Sequence, residues 1–257
     1  MTRPGRRSAE VPGLGRVVVV VPTYDEVDNL GPLVARLRAA QPEVDVLVVD
    51  DASPDGTGAL ADALAAEDPA VAVVHRAGKE GLGAAYRHGF RVALEAGYDV
   101  VGEMDADGSH QPEQLGRLLD ALHDADLVIG SRWVPGGSVV DWPLRRELLS
   151  RGGNLYVRAL LGLPVRDATA GFRLFRRSAL EAVDLASVRS TGYVFQTDLA
   201  HRAWRAGLRV VEVPIDFVER ERGASKMTPD VAAESLRRIT AWGLRERRRR
   251  VAAALRR

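Results

Sequence analysis

Two aspartates, Asp105 and Asp107, lie one residue apart in the segment GEMDADGSHQPE, residues 102–113, directly after an apolar stretch. Carboxylates this close repel each other unless a cation shares their site. Magnesium and manganese suit such a pair, because they take one or two protein carboxylates and complete their shell with water and substrate phosphate oxygens. The spacing therefore predicts a divalent-cation site that receives a phosphate-bearing substrate. A solvated turn rich in aspartate is the alternative with the same pattern.

A second pair of acids, Asp50 and Asp51, ends the apolar run VDVLVVDD at residues 44–51. The residues that follow, ASPDGT, are typical of a turn. We expect Asp51 to contact a base or ribose and Asp50 to hold the turn. The first apolar run also ends in polar residues, as RVVVVVPTYDE at residues 16–26.

The elements that must position these residues alternate along the first half of the chain. Unbroken β-branched runs predict strands buried on both faces, and apolar stripes at helical spacing separate them. Such βαβ repetition predicts a mostly parallel, doubly wound sheet, in which ligands bind at the carboxyl ends of the strands. All three acidic motifs follow predicted strands. Helices are predicted after the first strand and over 58–67, 82–96, 112–124, 144–161 and 195–206, with a loop at 166–173 and a further strand over 208–217.

The bulk composition fits one domain with flanking segments. The chain has 257 residues, 46% of them hydrophobic, and no cysteine, which excludes disulfides and thiolate metal sites and favours a reducing compartment. No apolar run approaches the roughly 20 residues of a membrane span. Residues 1–15 are predicted to be a mobile, disordered leader, residues 16–228 the α/β domain, and residues 229–257 an amphipathic, basic helical tail. Residues 245–257 contain seven arginines and one glutamate, a local charge of +6 in a chain of net charge +1.

Eight motifs in a fixed order identify a family resemblance over about residues 16–228. They are PTYDE, VVDDASPDGT, EGLGAAYRHGF, MDADGSHQPE, IGSRW, DATAGFR, GYVFQTDL and RERGASKM. Together they resemble the polyprenol-phosphate (dolichol-phosphate) mannosyltransferases of glycosyltransferase family 2, which are inverting enzymes. The resemblance implies the GT-A fold, a Rossmann-like, mostly parallel central sheet flanked by helices in a single domain. It also implies GDP-mannose as donor, a polyprenyl phosphate lipid as acceptor, and Mg²⁺ or Mn²⁺ as cofactor.

The resemblance also implies roles for individual residues. Asp107 is the firmest metal ligand, with Asp105 beside it and either Ser109 or a water as a third. Arg220 and Lys226 close over the donor, and their positive charge opposes the charge that develops on the leaving diphosphate. The implied donor-binding residues are Pro22, Tyr24, Glu26, Val49 and Asp51 on the guanosine half, with Lys79, Asp105, Ala106, Asp107, Arg220 and Lys226.

The implied site for the acceptor lipid consists of hydrogen-bond donors that suit a phosphate. Arg132, Arg146 and Ser150 match the phosphate-binding positions of the family, and Arg146 and Ser150 share one helical face because they are four residues apart. For Arg146, a solvated surface arginine is the alternative. The second pKa of a phosphate monoester is near 6, so the acceptor oxygen is already ionised at pH 7 and no strong general base is required. Asp167 and Arg173 are expected to brace the acceptor side, and neither His110 nor Asp198 is assigned as a base.

A lipid acceptor implies that the protein acts at a membrane surface. The stripe of Ala232, Leu236, Ile239 and Gly243, flanked by Trp242, predicts a tail that lies on an anionic membrane surface, unless a membrane-anchored partner supplies the anchor. We therefore expect a cytoplasmic protein peripheral to the cytoplasmic face of the membrane. Nucleic-acid binding is not expected, because no aromatic residues are interleaved with the arginines.

Two alternatives to the mannosyltransferase hypothesis stay open at this point. One is the same architecture with UDP-glucose or another donor. The other is a module that binds a nucleotide sugar without turnover. Intact Asp105, Asp107, Arg220 and Lys226 favour catalysis, because charges so costly to place together are not expected in a silent site.

Overall fold

A seven-stranded sheet with helices on both faces forms the body of the protein. The computed structural model describes residues 9–188, 190, 194–220, 236–245 and 247. The strands are β1 (Val17–Thr23), β2 (Asp45–Asp50), β3 (Val71–His75), β4 (Val100–Glu103), β5 (Leu127–Ser131), β6 (Ser138–Val140), β7 (Arg173–Arg176), β8 (Val210–Pro214) and β9 (Asp216–Val218). The helices are α1 (Val27–Ala40), α2 (Thr57–Glu67), α3 (Leu82–Glu95), α4 (Leu115–Leu122), α5 (Leu144–Leu161), α6 (Arg177–Ala182) and α7 (Val194–Arg205), with 3₁₀ turns at Pro112–Gln114 and Leu185–Ser187. Residues 236–245 are also helical.

The strand order is β3-β2-β1-β4-β7-β5-β8, and a separate small sheet pairs β6 with β9. Strands β1 to β4 are mutually parallel, as are β5 and β8. Strand β7 is antiparallel to both of its neighbours, β4 and β5. The predicted mostly parallel α/β sheet is therefore confirmed. Strand β7 was not predicted, and its first residue, Arg173, was assigned to the end of a loop. The strand predicted over 208–217 divides into β8 and β9.

The core lies on both faces of this sheet. Every residue of β1 and β2 is buried, because both strands sit inside the sheet between two helical layers. One layer packs the leucines of α1 and α4 against the sheet, and the other packs aromatic residues of α3 and α7 together with α5. Tyr86, Phe90 and Phe195 form the centre of the second layer, with ring centroids 5.9 to 6.4 Å apart.

The leader is shorter than predicted. Val11 and Leu14 are 8% and 4% exposed, and a β-bridge joins Val11 to Gly15. Both apolar side chains belong to the core cluster beneath α1 and α4, so the prediction of mobility is wrong for residues 11–15. Residues 1–8 lie outside the described residues.

The tail stripe also faces differently from the prediction. Ile239 is 5% exposed, and a Cβ added at Gly243 would lie 2.3 Å from Leu160, so this part of helix 236–245 packs closely on α5. Trp242 meets the ring of His201 at a centroid distance of 4.7 Å. Ile239, Trp242 and Gly243 therefore contact the domain and are not available to a membrane; Ala232 lies outside the described residues. None of the described helices is long and apolar enough to cross a bilayer.

Candidate active site

The three acidic motifs meet at one edge of the sheet, as predicted. Strand β1 lies between β2 and β4 and is parallel to both, so Tyr24, Asp51 and Asp105 follow the carboxyl ends of three adjacent strands. Parallel strands ending side by side form the crevice in which α/β proteins bind ligands.

Asp105 is held from three sides. The phenol of Tyr86 donates to its Oδ1 at 2.9 Å, and its own main-chain N–H donates to Nδ1 of His110 at 3.1 Å. A Cβ at Gly171 would lie 3.2 Å from Oδ2, so only glycine fits easily behind this carboxylate. Tyr86 is fully buried, and burial together with the Asp105 carboxylate raises its pKa well above the usual value. The phenol therefore stays a proton donor to Asp105, a role that sequence reasoning missed.

Asp107 is held in its charged form. The main-chain N–H and the hydroxyl of Ser109 both donate to Oδ1, and Arg220 Nη2 lies 3.2 Å from Oδ2. Burial opposes ionisation, but the Ser109 hydrogen bond and the Arg220 charge hold the pKa of Asp107 below its ordinary value. The carboxylate thus already attracts a cation at the edge of the sheet.

The oxygen ligands available here fit a divalent cation that is shared with substrate. Among the described residues no group of three or more histidine, cysteine, aspartate or glutamate side chains could hold a metal. Asp105 and Asp107 would supply carboxylate oxygens, and water and phosphate would complete the shell, which is how Mg²⁺ and Mn²⁺ are commonly held. The Arg220 guanidinium on Asp107 shows that this position accepts positive charge. Ser109 is 1% exposed with its hydroxyl on Asp107, so in this structure it orients the Asp107 carboxylate.

The predicted nucleoside side of the crevice carries a buried ion pair and a cation–π contact. Asp51 is 4% exposed and pairs with Arg76 at 2.5 Å, while Arg76 also reaches Glu80. Nζ of Lys79 lies 3.7 Å from the centroid of the Tyr24 ring, which brings these two predicted donor residues together. Asp50 accepts from Thr23 and Ser53, the turn-holding role expected of it.

The other residues predicted to bind the nucleotide-sugar donor are less accessible. Pro22, Val49 and Ala106 are buried, and the Val49 side chain packs in the core beside Gly89. Any contact of Val49 with a nucleotide would therefore involve its main chain. Glu26 accepts a hydrogen bond from Asn29 at 2.8 Å, at the start of α1. Lys226 lies outside the described residues.

Arg132 is engaged in a buried bidentate ion pair. Its Nε and Nη2 donate to the two oxygens of Asp167, each at 2.7 Å, and its main-chain N–H donates to the same carboxylate at 3.0 Å. The Asp167 side chain is fully buried and that of Arg132 is 9% exposed. Burial opposes ionisation of Asp167, but the Arg132 charge keeps its pKa lowered. Asp167 therefore braces Arg132, and the predicted phosphate contact of Arg132 stays a prediction.

Aromatic rings and arginines line the predicted acceptor side. The guanidinium of Arg146 lies 3.9 Å from the Trp142 ring centroid and pairs with Glu219. Arg151 lies 4.2 Å from the Trp133 ring centroid. Both indole N–H groups are buried and donate to no acceptor among the described residues, which leaves two donors unused beside these arginines. Trp142 and Glu219 were missed because they lie in different segments and carry no motif.

A third buried pair of an acidic residue and an arginine, Glu103 with Arg173, supports the floor of the site. Glu103 and Arg173 face each other across β4 and β7, 3.9 Å apart, and neither is exposed. Arg173 donates to the carbonyls of Ala168, Ala170 and Gln196. It therefore shapes the loop before β7, as a brace beneath the acceptor side. Burial raises the pKa of Glu103 to about 8.

Neither His110 nor Asp198 is arranged as a base. His110 is 1% exposed and stacks on Phe172, and burial lowers its pKa to about 4. Asp198 accepts from Arg202 at 2.7 Å and from Ser190 at 2.9 Å. His110 instead closes the Asp105 loop, the orienting role expected of it.

Comparison with known proteins shows which family the chain matches. Residues 18–184 match the family described as glycosyl transferase family 2. The chain is 58% identical over 232 residues to undecaprenyl-phosphate mannosyltransferase of Micrococcus luteus, covering 90% of this chain and 96% of that protein. It is 54% identical over 245 residues to polyprenol monophosphomannose synthase of Mycolicibacterium smegmatis, covering 95% of this chain and 92% of that protein.

A solved structure shares the fold at low identity. It is a mannosyltransferase from Pyrobaculum calidifontis in complex with GDP-Man and Mn²⁺, with a TM-score of 0.51 and 22% identity over 86% of this chain and 60% of that one. At this identity the likeness concerns the fold alone. The family match and the two close relatives carry the assignment: the chain belongs to glycosyl transferase family 2.

Proposed function

We propose that this protein transfers mannose from GDP-mannose to the phosphate of a polyprenyl phosphate, with inversion, giving polyprenyl-phosphate mannose. The names of two relatives at 58% and 54% identity support the reaction and the lipid class. The observation in the molecule that carries the proposal is the Asp105–Asp107 pair with Arg220 on Asp107, at the edge where three strands end. A nucleotide-sugar diphosphate needs this combination of anchored carboxylates, which would hold a cation, and an arginine beside them.

The donor half of the site prepares a leaving group. A Mg²⁺ or Mn²⁺ ion held by Asp105 and Asp107, when bound, would neutralise the diphosphate. Tyr86 and Ser109 fix the two carboxylates, so little reorganisation is needed as charge develops. Arg220 would move from Asp107 to the diphosphate oxygens, joined by Lys226. Asp51, oriented by Arg76, would receive the guanine or ribose.

The acceptor half presents an ionised nucleophile. An oxygen of the acceptor phosphate forms the new bond to the anomeric carbon while the bond from that carbon to the diphosphate breaks, and GDP leaves with the electron pair. The phosphate oxygen is already largely ionised, so no proton needs removal. Arg146 and Ser150, one turn apart on α5, would hold the phosphate, with Arg132 behind them.

The lipid acceptor places the reaction at a membrane. We infer that the protein is peripheral to the cytoplasmic face, either by direct contact or through a membrane-anchored partner. Of the tail predicted over residues 229–257, the structure describes residues 236–245 and 247.

A turnover assay tests the proposal. Purified protein is incubated with labelled GDP-mannose, a short polyprenyl phosphate and Mg²⁺ or Mn²⁺, and glycolipid is extracted into organic solvent. We expect mannolipid, no product after EDTA, and no product from Asp107→Ala. The matched control is Asp124→Ala, an exposed aspartate after α4. Glycolipid formed only from UDP-glucose would contradict the donor, and nucleotide binding without product would contradict catalysis.

A further inference from the structure

Glu219 and Arg220 are neighbours in the chain, and each forms an ion pair with a different half of the site. Nη2 of Arg220 lies 3.2 Å from Oδ2 of Asp107, the predicted cation ligand. Glu219 pairs with Arg146, which is predicted to bind the acceptor phosphate. The Cα atoms of consecutive residues are only about 3.8 Å apart, so a backbone shift at Arg220 also moves Glu219.

The strand that precedes these two residues, β9, is attached to the loop that carries the two aspartates. The main-chain N–H of Val218 donates to the carbonyl of Ser109 at 3.1 Å. The ring of Phe217 packs edge-on against His110, with centroids 5.4 Å apart. Ser109 and His110 are also the residues that hydrogen-bond to the two aspartates. The position of Glu219 therefore depends on the arrangement of the predicted cation site.

Glu219 occupies the guanidinium that the acceptor phosphate would need. The Arg146 guanidinium lies over the Trp142 ring, 3.9 Å from its centroid, and has the Glu219 carboxylate as its ion-pair partner. The side chains of Arg146 and Glu219 are 34% and 29% exposed, so a ligand in solution can compete for this pair. A phosphate monoester is a strong acceptor for the same N–H donors. Trp142 would keep the guanidinium in place once the carboxylate leaves.

The structure has room for Glu219 to turn away from Arg146. A cavity of about 210 Å³ lies between α1 and the loop that carries the two aspartates, and Glu219 lines it together with Asp107, Gly108 and Val218. Glu219 and Asp107 thus border the same space. A cation bound to Asp107 would attract the Glu219 carboxylate towards this space and would replace Arg220 as the counter-charge of Asp107.

We propose that Glu219 is a positioning residue that imposes an order of binding, with the donor before the acceptor. While the donor site is empty, Glu219 holds Arg146 and Arg220 holds Asp107. A divalent cation and a nucleotide diphosphate draw Arg220 from Asp107 to the diphosphate. The adjoining Glu219 then leaves Arg146, which becomes able to bind a phosphate monoester. The inference rests on the proposed function for the identity of these two ligands.

This order predicts that donor and acceptor strengthen each other's binding. A nucleotide diphosphate with one divalent cation is still an anion, so charge repulsion alone would weaken the binding of a second anion beside it. Release of Arg146 predicts the opposite sign. An ion pair as exposed as this one reduces the fraction of unoccupied Arg146 by about fivefold, so the affinity for the acceptor should rise by about that factor. By linkage, the acceptor should raise the affinity for the nucleotide equally.

Titration calorimetry without turnover tests the order of binding. Geranyl phosphate, a short prenyl phosphate, is titrated into the full chain with Mn²⁺ alone and with Mn²⁺ and GDP, which carries no sugar to transfer. UDP replaces GDP in a parallel series, so that the test does not depend on which nucleotide the site prefers. We expect an affinity about fivefold higher when the nucleotide is present.

Two variants assign this effect to Glu219. Glu219→Gln keeps the size of the side chain and removes its charge, so it should bind geranyl phosphate tightly in both conditions, with a ratio of affinities near one. Glu147→Gln is the matched control, because it removes a carboxylate that pairs with Arg151 on the same helix as Arg146. It should keep the wild-type ratio. Both variants should keep the wild-type unfolding temperature, because both carboxylates are partly exposed.

The outcomes separate this inference from the proposed function. A ratio near one in the wild type overturns the inference, even if glycolipid forms in the turnover assay. The same holds if Glu219→Gln retains the wild-type ratio, or if geranyl phosphate binds in none of these conditions. A ratio that depends on Glu219 supports the inference even if no glycolipid forms with any donor, and in that case the proposed transfer reaction alone fails.

Discussion

Substitution of Arg132 by alanine tests whether this residue mainly stabilises the fold or mainly binds the acceptor phosphate. The side chain makes a bidentate pair with Asp167, with both groups nearly or fully buried. Removing the arginine leaves a buried carboxylate without its counter-charge, which typically costs about 3–5 kcal/mol. For a chain of this size each kcal/mol lowers the unfolding temperature by about 2–4 °C. We therefore expect Arg132→Ala to unfold roughly 6–20 °C below wild type.

Thermal and urea unfolding, followed by circular dichroism, measure the effect. Arg145→Ala is the matched control, because Arg145 is exposed on α5 and should change stability by less than about 0.5 kcal/mol. The double variant Arg132→Ala with Asp167→Ala should recover part of the loss, since the unpaired carboxylate is gone. An Arg132→Ala protein that unfolds with the wild type and shows only a raised KM for the acceptor would refute this reasoning. That result would mean that the Arg132 guanidinium binds the acceptor phosphate and adds little to stability.

Three further predictions follow from the site. Tyr86→Phe removes the donor to Asp105 and should raise the Mn²⁺ concentration for half-maximal turnover about 10–100-fold, as loss of partners behind metal ligands does. Arg76→Ala frees Asp51 and should raise the KM for GDP-mannose about tenfold, the effect of losing one charged hydrogen bond. The buried His110 has its pKa lowered to about 4, whereas unfolded it titrates near 6.5, so the unfolded state gains a proton first as the pH falls. The free energy of unfolding should therefore decline between about pH 6.5 and 4, by up to about 1.4 kcal/mol per pH unit.

Each of these predictions has its own control. Tyr98→Phe removes another buried phenol hydrogen bond, to Asp45, away from the site and should leave the Mn²⁺ dependence unchanged. Arg91→Ala removes an exposed arginine of α3 and should leave the donor KM unchanged. For His110, the measurement is urea unfolding at several pH values in wild type and His110→Gln. Identical pH slopes in the two proteins would contradict the assignment of the proton uptake to this ring.

The pattern of apolar and polar residues was sufficient to predict the parallel strands in the first half of the chain. The β-branched runs of β1 and β2 are buried on both faces, and acidic motifs directly after such runs had to meet at one sheet edge. Strand β7 was not predictable, because its four residues RLFR place two adjacent apolar residues between two arginines, a stretch too short to show a strand pattern. Tyr86 lies on a helix in an apolar stripe, so its pattern indicated core packing and gave no sign of its contact with Asp105.

The acceptor side was less predictable for another reason. Arg132 occurs in a motif, but its partner Asp167 lies 35 residues later, and only the folded chain shows the guanidinium committed to that carboxylate. The tail stripe was predicted to face a membrane, but of its described residues only Leu236 is exposed. Ile239 and Gly243 contact α5, a helix whose own outward leucines had not been considered as exposed.

The placement of β7 between β4 and β5 also constrains how the chain is made. During synthesis β4 and β5 emerge well before residues 173–176. The edge of each strand that pairs with β7 therefore has no hydrogen-bonding partner until β7 is made. Unpaired strand edges invite association with other chains, and pairing across such a span is slow. A nascent or truncated chain ending before residue 173 is thus the form of this protein most exposed to aggregation. Gly171 and Asp167, which lie beside Asp105 and Arg132, belong to the segment just before β7, so this part of the crevice is made at about the same stage as the strand that fills the gap, before β8 and Arg220.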